Sequence, residues 1–368
     1  MNVAFVYDRV NKWGGAERVL LALHDIWPDA PLFTAVYDPN RASWARVFRV
    51  QPSFLQYMPF AKRHHEWYPW LTPMAFESFS FDAFDLVISV TSAEAKNIIT
   101  KPDTVHICYC LTPTRYLWNE HTLYAKHSRW LEYLAPTLRR WDRLASQRPD
   151  YYIAISDRVK ERIETYYGRE VETVIYPPVE ISKGLALPKT RPQGEALRKQ
   201  EYFLVVSRLV PYKRIDIIIE AFNSLGWQLV IIGDGTERKK LQHMAKTNIT
   251  FITRHLTDKE LVGYYQGCRA CVFAADEDFG IAAVEALACG APVVTYRGSG
   301  ISEIITTGKT GMEFAGLSAD ALQKALVDFS RQSYDPQDCR ARATRFDQLV
   351  FAKRMKQTVE KLYNTCNI

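Results

Sequence analysis

The chain has 368 residues, 47% of them hydrophobic and 13% aromatic, which excludes a disordered chain and supplies enough apolar material for two medium globular cores. A formal net charge of +6 suits an anionic small ligand or an anionic membrane surface at least as well as nucleic acid, and no nucleic-acid partner is expected. No window nears the ~18 to 20 uninterrupted apolar residues of a spanning helix, and the opening NVAFVY has no charged stretch ahead of an apolar one, so no secretory signal is expected.

In chain order the pattern is strand, turn, helix, repeated. NVAFVY, PLFTAVY, DLVISV, TVHICYC and YYIAI read as short apolar strands, with helical spacing at Ala16–His24 and Asp157–Tyr167. Later, YFLVVS, WQLVII, ITFI, ACVFAA and PVVTY alternate with helix patterns at 214–225, 237–246, 258–267, 281–288 and 301–306. Continuous apolar strands alternating with helices predict parallel sheets covered on both faces. The fold class expected is therefore α/β, with two doubly wound domains. Pro177, Pro178, Pro188, Pro192 and the polar TRPQGEALRKQ break any regular element, which predicts domains at 1–180 and 201–345, a linker at 181–200 and a closing helix within 346–368.

The seven cysteines, at 108, 110, 268, 271, 289, 339 and 366, are scattered and mostly in apolar surroundings, as reduced thiols of a cytosolic protein would be. Cys108-x-Cys110 and Cys268-x-x-Cys271 could be read as zinc ligands. Both lie in or beside strand-like runs, and core packing is the reading adopted.

Ligands of open parallel sheets bind outside the carboxyl ends of the strands, so the loops that follow strands matter most. After YFLVVS comes RLVPYKR, where Arg208 and Lys213 offer a guanidinium and an ammonium to a dianion such as a diphosphate. After WQLVII, GDG permits a tight turn, and after ITFI comes the loop of Arg254 and His255, where backbone groups could read a nucleobase edge or the two side chains simply be surface residues. After ACVFAA, Asp276, Glu277 and Asp278 precede Gly280 and the apolar run IAAVEALAC, in which Glu285 is isolated. An ionised carboxylate taken from water needs partners, so Glu277 and Glu285 are expected to meet ligand hydroxyls. Asp276-x-Asp278 resembles a metal-binding pair, but Arg208 and Lys213 already supply cationic charge, and no metal or other cofactor is expected.

SRLVPYKRIDIIIEAF, LVIIGDGTERKKL, EDFGIAAVEALACGAPVV and GSGISEII, in this order, resemble the donor domain of the family 4 retaining glycosyltransferases. The resemblance spans Phe203–Ile305. It implies the GT-B architecture, two Rossmann-like domains facing across a cleft. It also implies Arg208 and Lys213 on the nucleotide diphosphate, Glu277 on the transferred sugar, Glu285 on the ribose, and backbone amides of Phe279, Gly280 and Ile281 near sugar and phosphates. The catalytic set it implies is Arg208, Lys213 and Glu277, with retention by a front-face route in which the leaving phosphate helps to take the acceptor proton. WGGAERV resembles the family's glycine loop, with Gly14 and Gly15 near donor phosphates.

DLVISVTSAEAKNIIT and HICYCLTPTRYLWNEH resemble a subgroup that builds bacterial surface polysaccharides, often by mannosyl transfer. Leu111 and Ser92 stand where many relatives have histidine. Lys96, Arg115 and Tyr116 are the acceptor-side candidates, each with a structural alternative, and Glu120 and His121 have no assigned role. The resemblance implies transfer of mannose from GDP-mannose to a polysaccharide acceptor that is lipid-linked. A catalytically silent nucleotide-sugar-binding scaffold and a nucleotide-sugar epimerase are the alternatives. Finally, Ser53–Phe76 is basic and rich in Trp, Tyr and Phe; it suits an interfacial helix on an anionic membrane, or a helical hairpin packed on the first domain. The expected location is cytoplasmic, peripheral on the inner face of the membrane.

Overall fold

In the computed structural model, residues 1–119, 121, 129–181 and 202–366 are described. They form two compact units, Met1–Pro178 with Leu349–Ile368, and Val179–Gln348. Most of the expected linker, with Pro188 and Pro192, lies outside the described residues, as does Glu120.

The first unit is built on seven strands: β1 Val3–Tyr7, β2 Leu32–Thr34, β3 Val50–Pro52, β4 Leu86–Thr91, β5 Val105–Cys110, β6 Tyr151–Ala154 and β7 Thr173–Val174. Their order is β3-β2-β1-β4-β5-β6-β7, and every pairing is parallel. All residues of β1, β4 and β5 are buried, as expected of strands that helices cover on both faces. Leaving β1, the chain builds outward through β2 and β3, then returns to place β4 on the other side of β1. The gap beyond the carboxyl ends of β1 and β4 is thus the topological switch point, where open α/β sheets bind ligands.

The second unit repeats this plan with β8 Tyr202–Val206, β9 Gln228–Ile232, β10 Ile249–Ile252, β11 Cys271–Phe273, β12 Val293–Tyr296 and β13 Gly311–Phe314. The order is β10-β9-β8-β11-β12-β13, again all parallel. Its switch point lies between β8 and β11. Phe203, Ile218, Phe222, Ile231 and Val272 are among its core.

Two sequence expectations need revision, the helix at 301–306 and the single interfacial helix within Ser53–Phe76. The helix expected at 301–306 is a single 3-10 turn, Gly300–Glu303. Beyond it the Thr306 amide donates to Thr310 Oγ1 at 2.8 Å, and the chain turns into β13, where a Cβ on Gly311 would stand 2.1 Å from the Val293 carbonyl oxygen. The closing helix runs over Gln348–Cys366 and belongs to the first unit; Phe351 meets the Tyr109 ring at 5.9 Å, and Arg354 donates to the Val174 carbonyl at 2.9 Å. Ser53–Phe76 is not one interfacial helix. It breaks into short turns and helices whose Leu55, Ala61, Ala75 and Phe76 join the core, while Tyr57 (86%), Phe60 (72%), Trp67, Trp70 and Met74 are exposed.

The thiols are all free, and Cys108, Cys110, Cys271, Cys289 and Cys339 are buried. Among the described residues no group of His, Cys, Asp or Glu is arranged to hold a metal ion.

Candidate functional site

In the second unit the loops after β8 and β11 converge. Arg208 and Lys213 follow β8, Lys213 in a 3-10 turn, Pro211–Lys213. Glu277 follows β11. The Lys213 ammonium donates to Glu277 Oε1 across the switch point, forming an ion pair with side chains only 17% and 14% exposed. Arg208 is exposed and donates to the Tyr212 hydroxyl; Tyr212 also offers its ring to both cations, at 5.8 and 5.2 Å.

The Glu277 loop is rigid for identifiable reasons. Its amide donates to Ser299 Oγ at 3.2 Å, and its carbonyl accepts from the Gly300 amide at 2.8 Å. A Cβ on Gly300 would lie 2.3 Å from the Asp278 carbonyl oxygen, so only glycine lets the GSG loop lie against the EDFG loop. Gly280, at φ +108°, occupies the left-handed region and starts the helix Ile281–Ala288. The amides of Gly280 and Ile281 donate to no protein acceptor among the described residues, as is usual in the first turn of a helix, where a ligand can take them up.

Glu285 answers the question its sequence context raises. It is half-buried rather than buried, and the buried Tyr265 phenol donates to its Oε2 at 3.1 Å. Burial first, and then the Glu285 charge, push the Tyr265 phenol well above its ordinary pKa, so it remains a donor. Arg254 is committed differently. It donates at 2.6 Å to Glu260, which closes the capping box of the helix Asp258–Gly267. That hydrogen bond, followed by those from Thr257, draws the Glu260 carboxyl down to about 2.

The first unit holds the remaining residues singled out in the sequence. Gly14 precedes the helix Gly15–Ile26, and a Cβ there would stand 3.1 Å from Glu17 Oε2. Glu17 is buried and accepts from the Tyr7 hydroxyl at 2.7 Å. Lys96 lies inside, its side chain 1% exposed, donating to Asp142 Oδ1 at 2.5 Å, the Ala93 carbonyl at 2.6 Å and Thr114 Oγ1 at 3.1 Å. It supports the loops rather than presenting a charge to an acceptor. Arg115 is half-buried, and Tyr116 donates at 2.5 Å to Glu94.

Sequence reasoning passed over Asp8, Glu94, Tyr265 and Ser299. Asp8 and Glu94 were open to detection, since each is a charged residue just after an apolar strand; Tyr265 and Ser299 reach the site only through tertiary contacts.

Residues 188–346 match the family model described as Glycosyl transferases group 1. Among solved structures, HepE of Anabaena in complex with UDP-glucose matches with a TM-score of 0.70 at 19% identity, covering 98% of this chain and 100% of that one. The fold is GT-B. Sucrose-phosphate synthase from Thermosynechococcus elongatus shares it, with a TM-score of 0.71 at 17% identity over 99% of this chain and 100% of the other. In sequence, a GDP-mannose-dependent alpha-(1-6)-phosphatidylinositol monomannoside mannosyltransferase of Mycolicibacterium smegmatis is 29% identical over 217 residues, 53% of this chain and 56% of the relative. A lipopolysaccharide 1,6-galactosyltransferase of Salmonella typhimurium is 26% identical over 260 residues, 66% of this chain and 63% of the relative. Each alignment spans less than two thirds of the curated relative's own length.

Proposed function

We propose that the protein is a retaining glycosyltransferase that moves a hexose from a nucleotide sugar, read most specifically as mannose from GDP-mannose, to a lipid-linked polysaccharide acceptor. The observation that carries the reading is the Lys213–Glu277 ion pair across the β8/β11 switch point, inside the segment matching the transferase model. In this account the donor diphosphate takes the Lys213 ammonium from Glu277, and the released carboxylate binds a hydroxyl of the sugar. Arg208 and Lys213 then stabilise charge on the departing phosphate, a contribution that is often the largest in such catalysis. In this reading the Gly280 and Ile281 amides serve a phosphate or sugar oxygen, Glu285 the ribose hydroxyls, and backbone groups of the Arg254 loop the base, while the Arg254 side chain stays with Glu260. The account needs no metal. The mannosyl reading is supported by the mycobacterial relative's name, and a surface-polysaccharide role by the Salmonella one.

A phosphate-bearing membrane surface is the proposed setting. Tyr57, Phe60, Trp67, Trp70 and Met74 are exposed next to Lys62 and Arg63, rings and cations of the kind that settle among lipid headgroups. No helix among the described residues is long and apolar enough to cross a membrane.

Thermal-shift screening against nucleoside diphosphates and sugar nucleotides tests the donor reading, because a ligand that binds only the native state raises Tm. The reading expects GDP and GDP-mannose to give the largest shifts. A larger response to UDP-glucose would replace mannose, and no response to any sugar nucleotide would remove the transferase reading.

A further inference from the structure

At the switch point of the first unit, Asp8 and Arg9 follow β1, Ser92 and Glu94 follow β4, and Tyr116 follows β5. Asp8 has its role inside the fold. Its carboxylate accepts from Thr91 Oγ1 at 2.7 Å, the Ser92 amide at 2.7 Å, Ser92 Oγ at 3.2 Å and the Ala95 amide at 2.9 Å. These bonds fix the turn after β4, and that turn presents Glu94. Lys96, on the same turn, is likewise fully engaged, with Asp142.

Glu94 is different. It is half-buried, it forms no ion pair among the described residues, and a single hydrogen bond reaches it, from the Tyr116 hydroxyl to Oε1. Oε2 is unclaimed. A carboxylate held behind one phenol, with Asp8 nearby, is costly to keep ionised. It stands at the N-cap of the 3-10 turn Ala95–Asn97 without a side-chain cap bond, Lys96 and Arg9 offset its charge without pairing with it, and it places one acceptor oxygen where parallel sheets take ligands.

We propose that Glu94, oriented by Tyr116, is the group on the first unit that binds a hydroxyl of the sugar acceptor, taking the place left by the absent histidines at Ser92 and Leu111. The inference rests on the transferase reading and adds to it the residue that reads the acceptor. A carboxylate oxygen accepting from a sugar hydroxyl makes a charge-assisted bond and gains the partner that Oε2 lacks. Burial pushes the Glu94 carboxyl up to about 7, with Asp8 acting in the same direction and Tyr116, Lys96 and Arg9 opposing. Acceptor capture by the ionised form therefore rises through neutral pH. Stability has the opposite sign. The folded-state pKa is raised above the ordinary 4.5, so the linked stability is present below 4.5 and is lost as pH rises through about 7.

The test compares the whole protein with Glu94→Gln, using octyl α-glycosides of mannose, galactose and glucose as acceptors. The proposal expects acceptor KM to rise about tenfold or more in the variant, in line with the loss of one charged hydrogen bond. It also expects the wild-type fall of KM between pH 6 and 8 to flatten, Tm to be higher than wild type at pH 8, and the thermal shift with the sugar nucleotide to be unchanged. An unchanged acceptor KM and pH profile overturns it. So does an equal loss of donor affinity, which would mark Glu94 as structural, or a wild type that binds donor but glycosylates none of the three. A wild type stabilised by no sugar nucleotide instead removes the transferase reading, and this inference with it.

Discussion

Lys213 donates to Glu277 across the carboxyl ends of β8 and β11, so the cation expected on phosphate and the carboxylate expected on sugar are each other's partners. Binding then exchanges one charge-assisted interaction for two. Lys213→Ala is expected to lower kcat/KM by about 10²-fold or more through lost stabilisation of the leaving group, and Arg208→Ala to act alike. Initial rates over a donor series check this, and a loss under threefold would reassign both cations.

Glu285→Gln is expected to weaken GDP binding about tenfold, as loss of a charged hydrogen bond to ribose would. Tyr265→Phe should weaken it less, since it removes only the phenol that orients Glu285. Calorimetry distinguishes the two variants; equal affinity in Glu285→Gln and wild type would argue against the ribose contact.

The buried Lys96–Asp142 pair is a support of the first unit. Lys96→Ala strands Asp142 and is expected to cost about 3 to 5 kcal/mol, with the double replacement Lys96→Met, Asp142→Leu recovering much of it. Urea unfolding measures both. An acceptor role for Lys96 would instead show as a raised acceptor KM with stability intact.

His106 is fully buried beside Ser89, 2.8 Å from its hydroxyl, and burial holds it down to about 3 against an ordinary 6.5. A depressed histidine contributes stability that is present above pH 6.5 and is lost as pH falls towards 3, by up to ~1.4 kcal/mol per pH unit for one group. Unfolding free energies at pH 7 and pH 5 should therefore differ more in wild type than in His106→Asn. An identical pH slope would assign the acid sensitivity to other groups.

Trp67, Trp70 and Lys62 lie in the exposed aromatic and basic face of the first unit. Replacing all three is expected to reduce sedimentation with anionic liposomes while leaving transfer to a soluble acceptor near wild type. Unaltered sedimentation would remove the membrane proposal.

Much of the fold could be read from the sequence because β1 and β8 are unbroken apolar runs and β4 and β5 nearly so, the mark of strands covered on both faces. β13 was missed because GMEF is short and begins with a glycine whose role is close approach to β12, which local pattern does not encode. Arg208, Lys213 and Glu277 stood out because each lies in the loop after a strand, and Glu285 because it is a lone carboxylate in the apolar helix Ile281–Ala288. Lys96 was open to an acceptor-side or a structural role, and only the tertiary structure supplies Asp142, 46 positions away. The position of Glu94 just after β4 was a signal the sequence did carry, but its half-buried setting and the phenol 22 positions on that holds it appear only in the tertiary structure.

The central claim is that the Lys213–Glu277 site transfers a sugar, and label transfer from a radiolabelled sugar nucleotide to a lipid-extractable or octyl-glycoside product tests it most directly. The account predicts labelled glycoside from wild type, of the same anomeric configuration as the donor, and about 10²-fold less from Lys213→Ala. Tight donor binding with no glycoside formed on any acceptor, or release of an epimerised sugar nucleotide without acceptor, would contradict it.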